Sequence, residues 1–223
     1  MKLSEQWLRE WANPEVDTAG LAEQLTMAGL EVDSVTAVAP ALDNVVVGKV
    51  IALTPHPNAD KLNLCKVDVG LGEDITIVCG AANVKAGSYY PVAMIGACLP
   101  GGVNIKLSKI RGTESFGMLC SRVELGLADS DNGLMELDDS VVPGDPVVRA
   151  LSLDDYIIDL DLTPNRADCF SVIGVGRDIA AYNSIQFNEP DILPSPADCD
   201  DSLPIKLAAD DACPVFAGRI IRN

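Results

Sequence analysis

The hydrophobic pattern of the chain changes from a period of two to a helical period between residues 156 and 182. Apolar side chains alternate with aspartates over residues 156–162, which predicts a half-buried strand. Pro164 ends that strand, because proline has no N–H to donate and biases the preceding Thr163 toward extended geometry. From Ser171 onward, helical spacing connects Val172, Val175, Ile179 and Tyr182. The pattern predicts a strand, a stiff turn and a helix.

The first 38 residues show a similar mixture of helix and strand. Asp17 is a suitable N-cap for a helix whose apolar residues recur every three to four positions, and Gly29 is suited to end it. A strand is expected at residues 31–38.

The middle of the chain has a different pattern of apolar and turn-forming residues. From about residue 45 to residue 148, short β-rich runs are separated by Gly, Pro and Asn. The predicted strands are Val45–Leu53, Leu62–Val69, Ile75–Cys79, Tyr90–Met94 and Ile105–Ile110. Five short strands broken in this way predict a small closed barrel.

These sequence patterns divide the chain into three parts. Residues 1–38 and 151–190 are predicted to form one split α+β domain, and residues 39–150 form the barrel inserted into it. Residues 191–223 begin with a Pro- and Asp-rich stretch that is typical of an exposed linker. The fold class is therefore a multidomain α+β protein.

The last residues are expected to begin another domain. Residues 203–207 and 216–221 resemble strands, yet the sequence stops at Asn223. We expect them to be the first strands of a truncated domain.

The charge balance bears on the partners of the chain. The formal net charge is -17, which ordinarily argues against nucleic acid because Lys and Arg contacts to phosphate supply most of that affinity. However, residues 43–124 carry 8 basic and 7 acidic side chains, so this segment is locally neutral between acidic flanks. Any contact with a polyanion should therefore centre on the barrel or involve another subunit.

Cysteine usage and hydropathy indicate the compartment. Seven cysteines are scattered without a Cys-x-x-Cys pair and mostly lie in apolar runs, which favours buried thiols in a reducing cytoplasm. No apolar run has the length of a membrane span, and the N-terminus lacks the apolar core of a signal peptide. Secretion and membrane insertion are not expected.

The sequence offers no catalytic constellation. His56 is the only histidine, and no Gly-x-Ser-x-Gly elbow accompanies it. The cysteine spacing does not suit a zinc site. The pair Gly174 and Gly176 lacks the third glycine of a dinucleotide fingerprint and is interpreted as helix packing. We therefore predict no catalytic residue and no bound metal or cofactor.

Candidate RNA contacts cluster in the barrel. Lys106, Lys109 and Arg111 form a cationic edge of the kind that follows a nucleic-acid backbone, and Ser115 can donate to phosphate. Lys61 lies in a loop stiffened by prolines, residues 55–62. The alternative is a basic strand that is merely solvated.

The turn after the predicted strand of residues 156–162 carries Arg166 and Asp168. These side chains either pair with each other or cap the following helix, as at most such turns. Contact between Arg166 and RNA or a neighbouring domain is the second possibility.

Five segments together resemble the amino-terminal part of the bacterial phenylalanyl-tRNA synthetase beta subunit. They are residues 26–33, 56–62, 78–83, 109–121 and 163–169, with Trp7 and Leu8 adding to the match. Residues 56–62 and 109–121 alone would indicate only the wider group of tRNA-binding OB-fold proteins. The segment 163–169 narrows the resemblance to this beta subunit.

The resemblance implies a five-stranded OB-fold barrel of the tRNA-binding type inserted into a split α+β domain, with an editing domain following it. In that family, an alpha subunit activates phenylalanine with ATP and magnesium, in a heterotetramer of two alpha and two beta subunits. The beta subunit supports assembly, tRNA binding and removal of mischarged tyrosine. Editing compensates for a pocket that rejects an added hydroxyl only weakly. Its residues are expected beyond Asn223.

Two hypotheses of different class follow. In the first, this segment is an RNA-contacting module of the ligase that uses Lys61, Lys106, Lys109, Arg111, Ser115 and Arg166. In the second, it is a structural module that docks onto the alpha subunit or the rest of beta without touching tRNA. A free-standing OB-fold tRNA-binding protein is a third possibility. No DNA partner is expected.

Overall fold

The computed structural model describes residues 1–130, 132–191 and 193–222. The chain forms two compact units, Met1–Asn188 and Glu189–Asn223. The first unit contains the helices and strands of the described chain. In chain order they are β1 (Lys2–Ser4), α1 (Glu5–Trp11), α2 (Thr18–Met27), β2 (Glu31–Ala37), β3 (Val45–Pro55), β4 (Asn63–Asp68), β5 (Ile75–Cys79), β6 (Tyr89–Met94), β7 (Cys98–Leu99), β8 (Val103–Asn104), β9 (Ser108–Ile110), β10 (Thr113–Ser115), β11 (Gly117–Leu119), α3 (Val147–Ala150), β12 (Tyr156–Asp161) and α4 (Val172–Asn183).

Five strands form a nearly closed antiparallel barrel, in the order β11, β6, β3, β4 and β5. The backbone N–H of Phe116 donates to the carbonyl of Thr76 on β5 at 2.9 Å, and the next residues, in β11, pair with β6. The edge strand β11 therefore begins beside the opposite edge strand, β5, and the sheet curls back on itself. This arrangement is that of an OB-fold, and the predicted barrel is confirmed.

The predicted fifth strand is wrong. Residues 108–110 do not join the barrel sheet; they pair with residues 113–115 in a separate hairpin, and Gly117–Leu119 is the fifth barrel strand. The turn at Arg111 and Gly112 folds the basic segment back on itself, so its ladder partners are local. Leu119, which is buried, instead presents an apolar side chain to the barrel interior.

Gly48 allows the central strand of the barrel to coil tightly. A Cβ atom at this position would lie 2.3 Å from Val92 Cγ2 and 2.8 Å from Val67 Cγ1. No such contact is tolerated in a packed core, so the position requires glycine for close approach. The interior around it is filled by buried Val, Ile, Leu, Cys and Tyr side chains of β3, β4, β5, β6 and β11.

A second, three-stranded antiparallel sheet has the order β1, β12, β2. Its core joins residues from both ends of the first unit, because Ile158 and Leu160 of β12 pack with Leu8, Leu21 and other buried residues of α1, α2 and α4. The strand predicted from the alternation at residues 156–162 is confirmed as Tyr156–Asp161. No helix among the described residues is long and apolar enough to cross a membrane.

The predicted helix ends are also present. The side chain of Asp17 accepts the N–H of Gly20 at 2.8 Å, and Ser171 accepts the N–H of Gly174 at 3.2 Å. Gly29, with φ of +85°, follows α2, and its N–H bonds to the carbonyl of Thr26. Of the predicted apolar face of α4, Tyr182 is exposed rather than buried.

The tail differs from its prediction. The expected strands at residues 203–207 and 216–221 are not formed; in the described part of the second unit only a short turn at residues 209–213 has backbone hydrogen bonds. Strands need ladder partners, and these apolar runs have none among the described residues. Ile192 and Asn223 of the predicted linker region lie outside the described residues.

Candidate nucleic-acid interface

The basic segment of the barrel forms a tight hairpin. Ile110 pairs with Thr113, so Arg111 and Gly112 are a two-residue turn. Both have positive φ, 50° and 100° respectively. Positive φ at both positions is the signature of a type I′ turn, in which glycine and asparagine are preferred and arginine is unusual. The backbone thus places Arg111 at the tip of the hairpin.

The loop between β3 and β4 is bonded to this tip. His56 is buried, and its Nδ1 accepts the N–H of Asn58 at 3.1 Å. Its Nε2 therefore carries the proton and donates to the carbonyl of Ile110 at 3.1 Å. Asn58 Nδ2 donates to the carbonyl of Arg111 at 3.2 Å. These contacts hold the loop against the hairpin.

The docking brings the loop that carries Lys61 against the hairpin that carries Lys109 and Arg111. Lys61 lies in the docked loop, Lys109 and Arg111 belong to the hairpin, and Lys106 precedes it. All four are exposed, and none forms an ion pair with another described residue. Glu114 lies opposite Lys109 in the hairpin register and is the nearest acidic residue along it. The charges of the four cations remain available to an anion.

The prediction for Ser115 requires correction. Ser115 is 3% exposed, and its hydroxyl accepts the N–H of Val78 at 3.0 Å and donates to the carbonyl of Gly117 at 3.0 Å. A hydroxyl that is buried and already bonded on both sides has no proton to offer a phosphate. Ser115 instead joins the hairpin to β5.

Arg166 lies in the other core region, at the turn between β12 and α4. Its Nη2 donates to Asp178 in a short contact, to Cys169 Sγ at 3.0 Å and to Asp168 at 3.4 Å, and its Nη1 donates to the carbonyl of Ala28 at 3.4 Å. These partners raise the pKa of Arg166, while its hydrogen bonds hold the pKa of Asp168 below the usual range. The pairing of Arg166 with Asp168 agrees with the first interpretation, and Asp178 is a partner that the sequence did not suggest.

Asp168, Cys169 and Asp178 also form the one group of potential metal ligands found in the described chain, with ligand atoms within 4.8 Å of one another. The guanidinium of Arg166 already donates to all three. Burial raises the pKa of the Cys169 thiol to about 11, so it is protonated and a poor ligand. The cluster is a cross-link centred on arginine.

The close approach of this turn to α4 explains one sequence motif. A Cβ at Gly174 would lie 1.8 Å from the carbonyl oxygen of Asp168, and a Cβ at Gly176 would lie 2.9 Å from Trp11 Cβ. Both glycines therefore serve helix packing, as predicted, and hold α4 against the turn and against α1.

One pair of cysteines in the barrel was not predicted from the sequence. Cys79 and Cys65 lie on neighbouring strands of the barrel interior, and the interaction between the two thiols lowers the pKa of Cys79 and raises that of Cys65. Cys79 lines a cavity of about 710 Å³. The strands that carry Cys65 and Cys79 were predicted from the sequence. That the two thiols lie close together depends on the register in which these strands pair.

The barrel matches a known family. Residues 45–146 match the family described as a putative tRNA binding domain. Among solved structures, that of a MetRS-related protein from Pyrococcus horikoshii has 28% identity and a TM-score of 0.34, over 45% of this chain and 85% of that chain. The fold assignment rests on the strand order and the family match.

Relatives extend the match to the whole chain. Phenylalanine–tRNA ligase beta subunits of Legionella pneumophila (strain Lens) and Hahella chejuensis (strain KCTC 2396) are 52% and 50% identical over 223 residues, which is 100% of this chain. The chain spans 28% of the length of these relatives. The resemblance predicted from the sequence is confirmed: over its whole length the chain is similar to the amino-terminal region of phenylalanine–tRNA ligase beta subunits, and residues 45–146 match the tRNA-binding domain family.

Proposed function

We propose that this chain is the non-catalytic amino-terminal part of a phenylalanine–tRNA ligase beta subunit and that its barrel contacts tRNA at one cationic edge. The observation that carries the proposal is the docking of the loop of residues 56–62 onto the hairpin of residues 108–115. This docking brings Lys61 to the same end of the barrel as Lys109 and Arg111, with their charges unpaired by other described residues.

The chemistry of this edge favours the RNA backbone over the bases. Exposed Lys and Arg attract phosphate and release counterions when they bind it, so affinity falls with salt. Phe116 is 38% exposed and is the one described aromatic side chain in this hairpin segment. Because stacking groups are scarce, we expect contacts that position tRNA rather than read its sequence.

The wider architecture is part of the proposal. We infer that the barrel is inserted into a split α+β domain formed by residues 1–38 and 151–190. This is supported by the three-stranded sheet, in which β1 and β2 precede the barrel in sequence while β12 follows it. Residues 191–223 would connect to an editing domain.

The intact enzyme would supply what this chain lacks. We propose that the alpha subunit is the partner, in a heterotetramer of two alpha and two beta subunits in the cytoplasm. ATP and magnesium would be bound where phenylalanine is activated, outside this chain. The inference is supported by relatives that are named phenylalanine–tRNA ligase beta subunits.

The test is a titration of tRNA binding against salt. The log of the affinity should fall linearly with the log of the salt concentration, and the double variant Lys109→Gln/Arg111→Gln should reduce that slope by about 1.4, at roughly 0.7 per lost phosphate contact. Lys2→Gln is the matched control, because Lys2 is an exposed cation of the three-stranded sheet. An unchanged slope in the double variant would remove these residues from the interface.

A docking module without RNA contact is the second candidate. Residues 1–38 hold 2 basic and 7 acidic side chains, and this acidic surface favours a protein partner over a polyanion. No detectable tRNA binding at low salt, together with retained binding to the alpha subunit, would establish this alternative.

A further inference from the structure

The strand β2 lies at the edge of the three-stranded sheet, with β12 as its one neighbour among the described strands. Six of its seven residues are exposed. Val35 lies opposite the buried Ile158 and therefore on the face of the sheet that packs against the helices, yet it is 38% exposed. An edge strand of this kind presents unpaired backbone groups to which another strand can bind.

The strand register identifies which backbone groups of β2 are unpaired. The N–H of Val38, one residue beyond the end of β2, donates to the carbonyl of Asp155 at 3.0 Å. In an antiparallel pair, hydrogen-bonded and non-hydrogen-bonded positions alternate along the strands. Thr36 therefore directs its N–H and C=O toward β12, whereas Val35 and Ala37 direct theirs to the open edge. No described strand pairs with that edge.

The usual protection of an edge strand is largely missing from β2. Natural proteins protect edges with Lys or Pro residues and with β-bulges. Residues 31–38 contain no Lys, Arg or Pro. A bulge is present, since Ser34 is opposite Asp159 and Val32 is opposite Leu160, but it affects only the first half of β2. The second half is regular and can continue the ladder.

One face of the sheet carries uncompensated negative charge at this edge. Glu31 lies directly opposite Asp161, and both are exposed. Like charges at directly opposite positions of a sheet are unfavourable. Neither carboxylate forms an ion pair with a described residue, whereas Asp159 on the same face pairs with Lys2 and the N-terminus. An added strand would relieve this repulsion if it presented Lys or Arg on this face.

The other face of the sheet is apolar where β2 ends. A groove of about 560 Å³ begins there, and its wall includes Ala37, Tyr156, Leu42 and Leu153. Ala37 and Tyr156 are opposite each other in the register and share the face of Val35. Tyr156 is 41% exposed. Apolar side chains of an added strand would therefore be covered on this face.

We propose that the open edge of β2 binds an extended segment of a partner protein in which apolar residues alternate with Lys or Arg. Backbone hydrogen bonds to Val35 and Ala37 provide affinity, and the alternating side chains provide specificity. The cations meet Glu31 and Asp161, while the apolar residues pack on the opposite face, because successive side chains of a strand point to opposite faces. This surface is separate from the barrel and does not depend on contact between the barrel and tRNA.

Other occupants match the edge less well. A second copy of this chain would bring no cation to Glu31 and Asp161, because residues 31–38 contain none. RNA has no peptide groups to continue the ladder, and these carboxylates repel its phosphates. A basic, extended polypeptide satisfies both the backbone edge and the charge.

The experiment is an NMR titration of the 223-residue chain with an acetylated and amidated hexapeptide in which lysine and valine alternate. Hydrogen exchange at the N–H groups of Val35 and Ala37 should slow about tenfold or more at saturation, because both become bonded. Exchange at Thr36, which already bonds to β12, should change less. The matched control peptide has glutamate in place of lysine and should bind about tenfold more weakly.

Two variants of the chain test the backbone and the charge separately. Val35→Pro removes the outward N–H and should weaken binding about tenfold or more, whereas Val35→Ile keeps this N–H and should bind normally. Glu31→Lys changes an exposed residue and does not depend on tolerance of the proline. It should weaken binding of the lysine peptide and strengthen binding of the glutamate peptide, each several-fold.

Three results would overturn the proposal. The first is equal affinity of the unmodified chain for the two peptides, and the second is unchanged hydrogen exchange at Val35 and Ala37 when the lysine peptide is saturating. The third is exchange at these residues that slows as the concentration of the chain itself rises, with a dimer in sedimentation, because the edge would then bind a second copy.

Discussion

Two turns of this chain each carry an arginine, but the side chains of these arginines are bonded differently. At the hairpin tip, the backbone of Arg111 is held by its turn geometry and by Asn58, and its side chain forms no ion pair with a described residue. At the turn before α4, the side chain of Arg166 binds Asp168, Asp178, Cys169 and the Ala28 carbonyl. In Arg111 the backbone is fixed and the guanidinium stays exposed. In Arg166 the guanidinium itself is bonded to neighbouring residues.

The local charge explains the difference. Arg166 is surrounded by carboxylates of its own turn and of α4, and an ion pair that is partly buried is screened less than an exposed one. Arg111 lies in a segment where basic and acidic residues nearly balance. The hairpin can therefore present a positive charge although the whole chain carries -17.

The largest effect is expected at His56, which joins the loop to the hairpin. His56→Ala leaves the N–H of Asn58 and the carbonyl of Ile110 without their partner and should lower the free energy of unfolding by about 3 kcal/mol. Denaturant unfolding measures this loss. tRNA affinity should fall as well, because the loop that carries Lys61 is no longer bonded to the hairpin through His56. Full affinity in a folded variant would show that the docked loop does not assemble the interface.

Ser115→Ala should cost about 2 kcal/mol, because the partly buried N–H of Val78 loses its acceptor. Ser108, which pairs with Ser115 across the hairpin and is exposed, provides the matched control; Ser108→Ala should change stability by less than about 0.5 kcal/mol. The salt slope of tRNA binding should be the same in both variants. A slope reduced only in Ser115→Ala would restore Ser115 as a phosphate contact.

Arg111→Asn should separate stability from binding. Asparagine before glycine suits a type I′ turn better than arginine, so the free energy of unfolding should rise by about 0.5–1 kcal/mol. The same change should reduce the salt slope of tRNA binding by about 0.7. Calorimetry and the salt titration measure the two effects. Lower stability in this variant would mean that the Arg111 side chain supports the fold, as that of Arg166 does.

The smallest effect concerns acid stability at Arg166. Hydrogen bonds from Arg166 depress the pKa of Asp168 below that of an unfolded chain, about 3.9. The resulting stabilisation is present above the unfolded value and is lost as pH falls through the folded one. In Arg166→Met the unfolding midpoint should depend less on pH below about pH 4. Asp168 is 61% exposed, so the difference is small, and identical acid profiles would contradict the pairing.

Local features of this chain were predictable because they depend on residues close in sequence. Asp17 and Ser171 cap helices within three residues of themselves, and the alternation at residues 156–161 identifies β12. Lys106, Lys109 and Arg111 were recognisable as a basic run from their spacing, and they are exposed, but that they contact RNA stays a prediction. Ser115 was assigned wrongly, since its burial depends on Val78, 37 positions away.

The sequence alone determined most helices and strands of the first unit, the barrel, and the resemblance to phenylalanine–tRNA ligase beta subunits, because periodicity and helix caps depend on nearby residues and the resemblance depends on residue identity. Tertiary structure decided which of two arginines forms no ion pair among the described residues, which strand closes the barrel, and that His56 joins a loop to a hairpin 54 residues away. Those outcomes depend on strand register and on long-range hydrogen bonds, and the open edge of β2 could be recognised only once the order of the strands in its sheet was known.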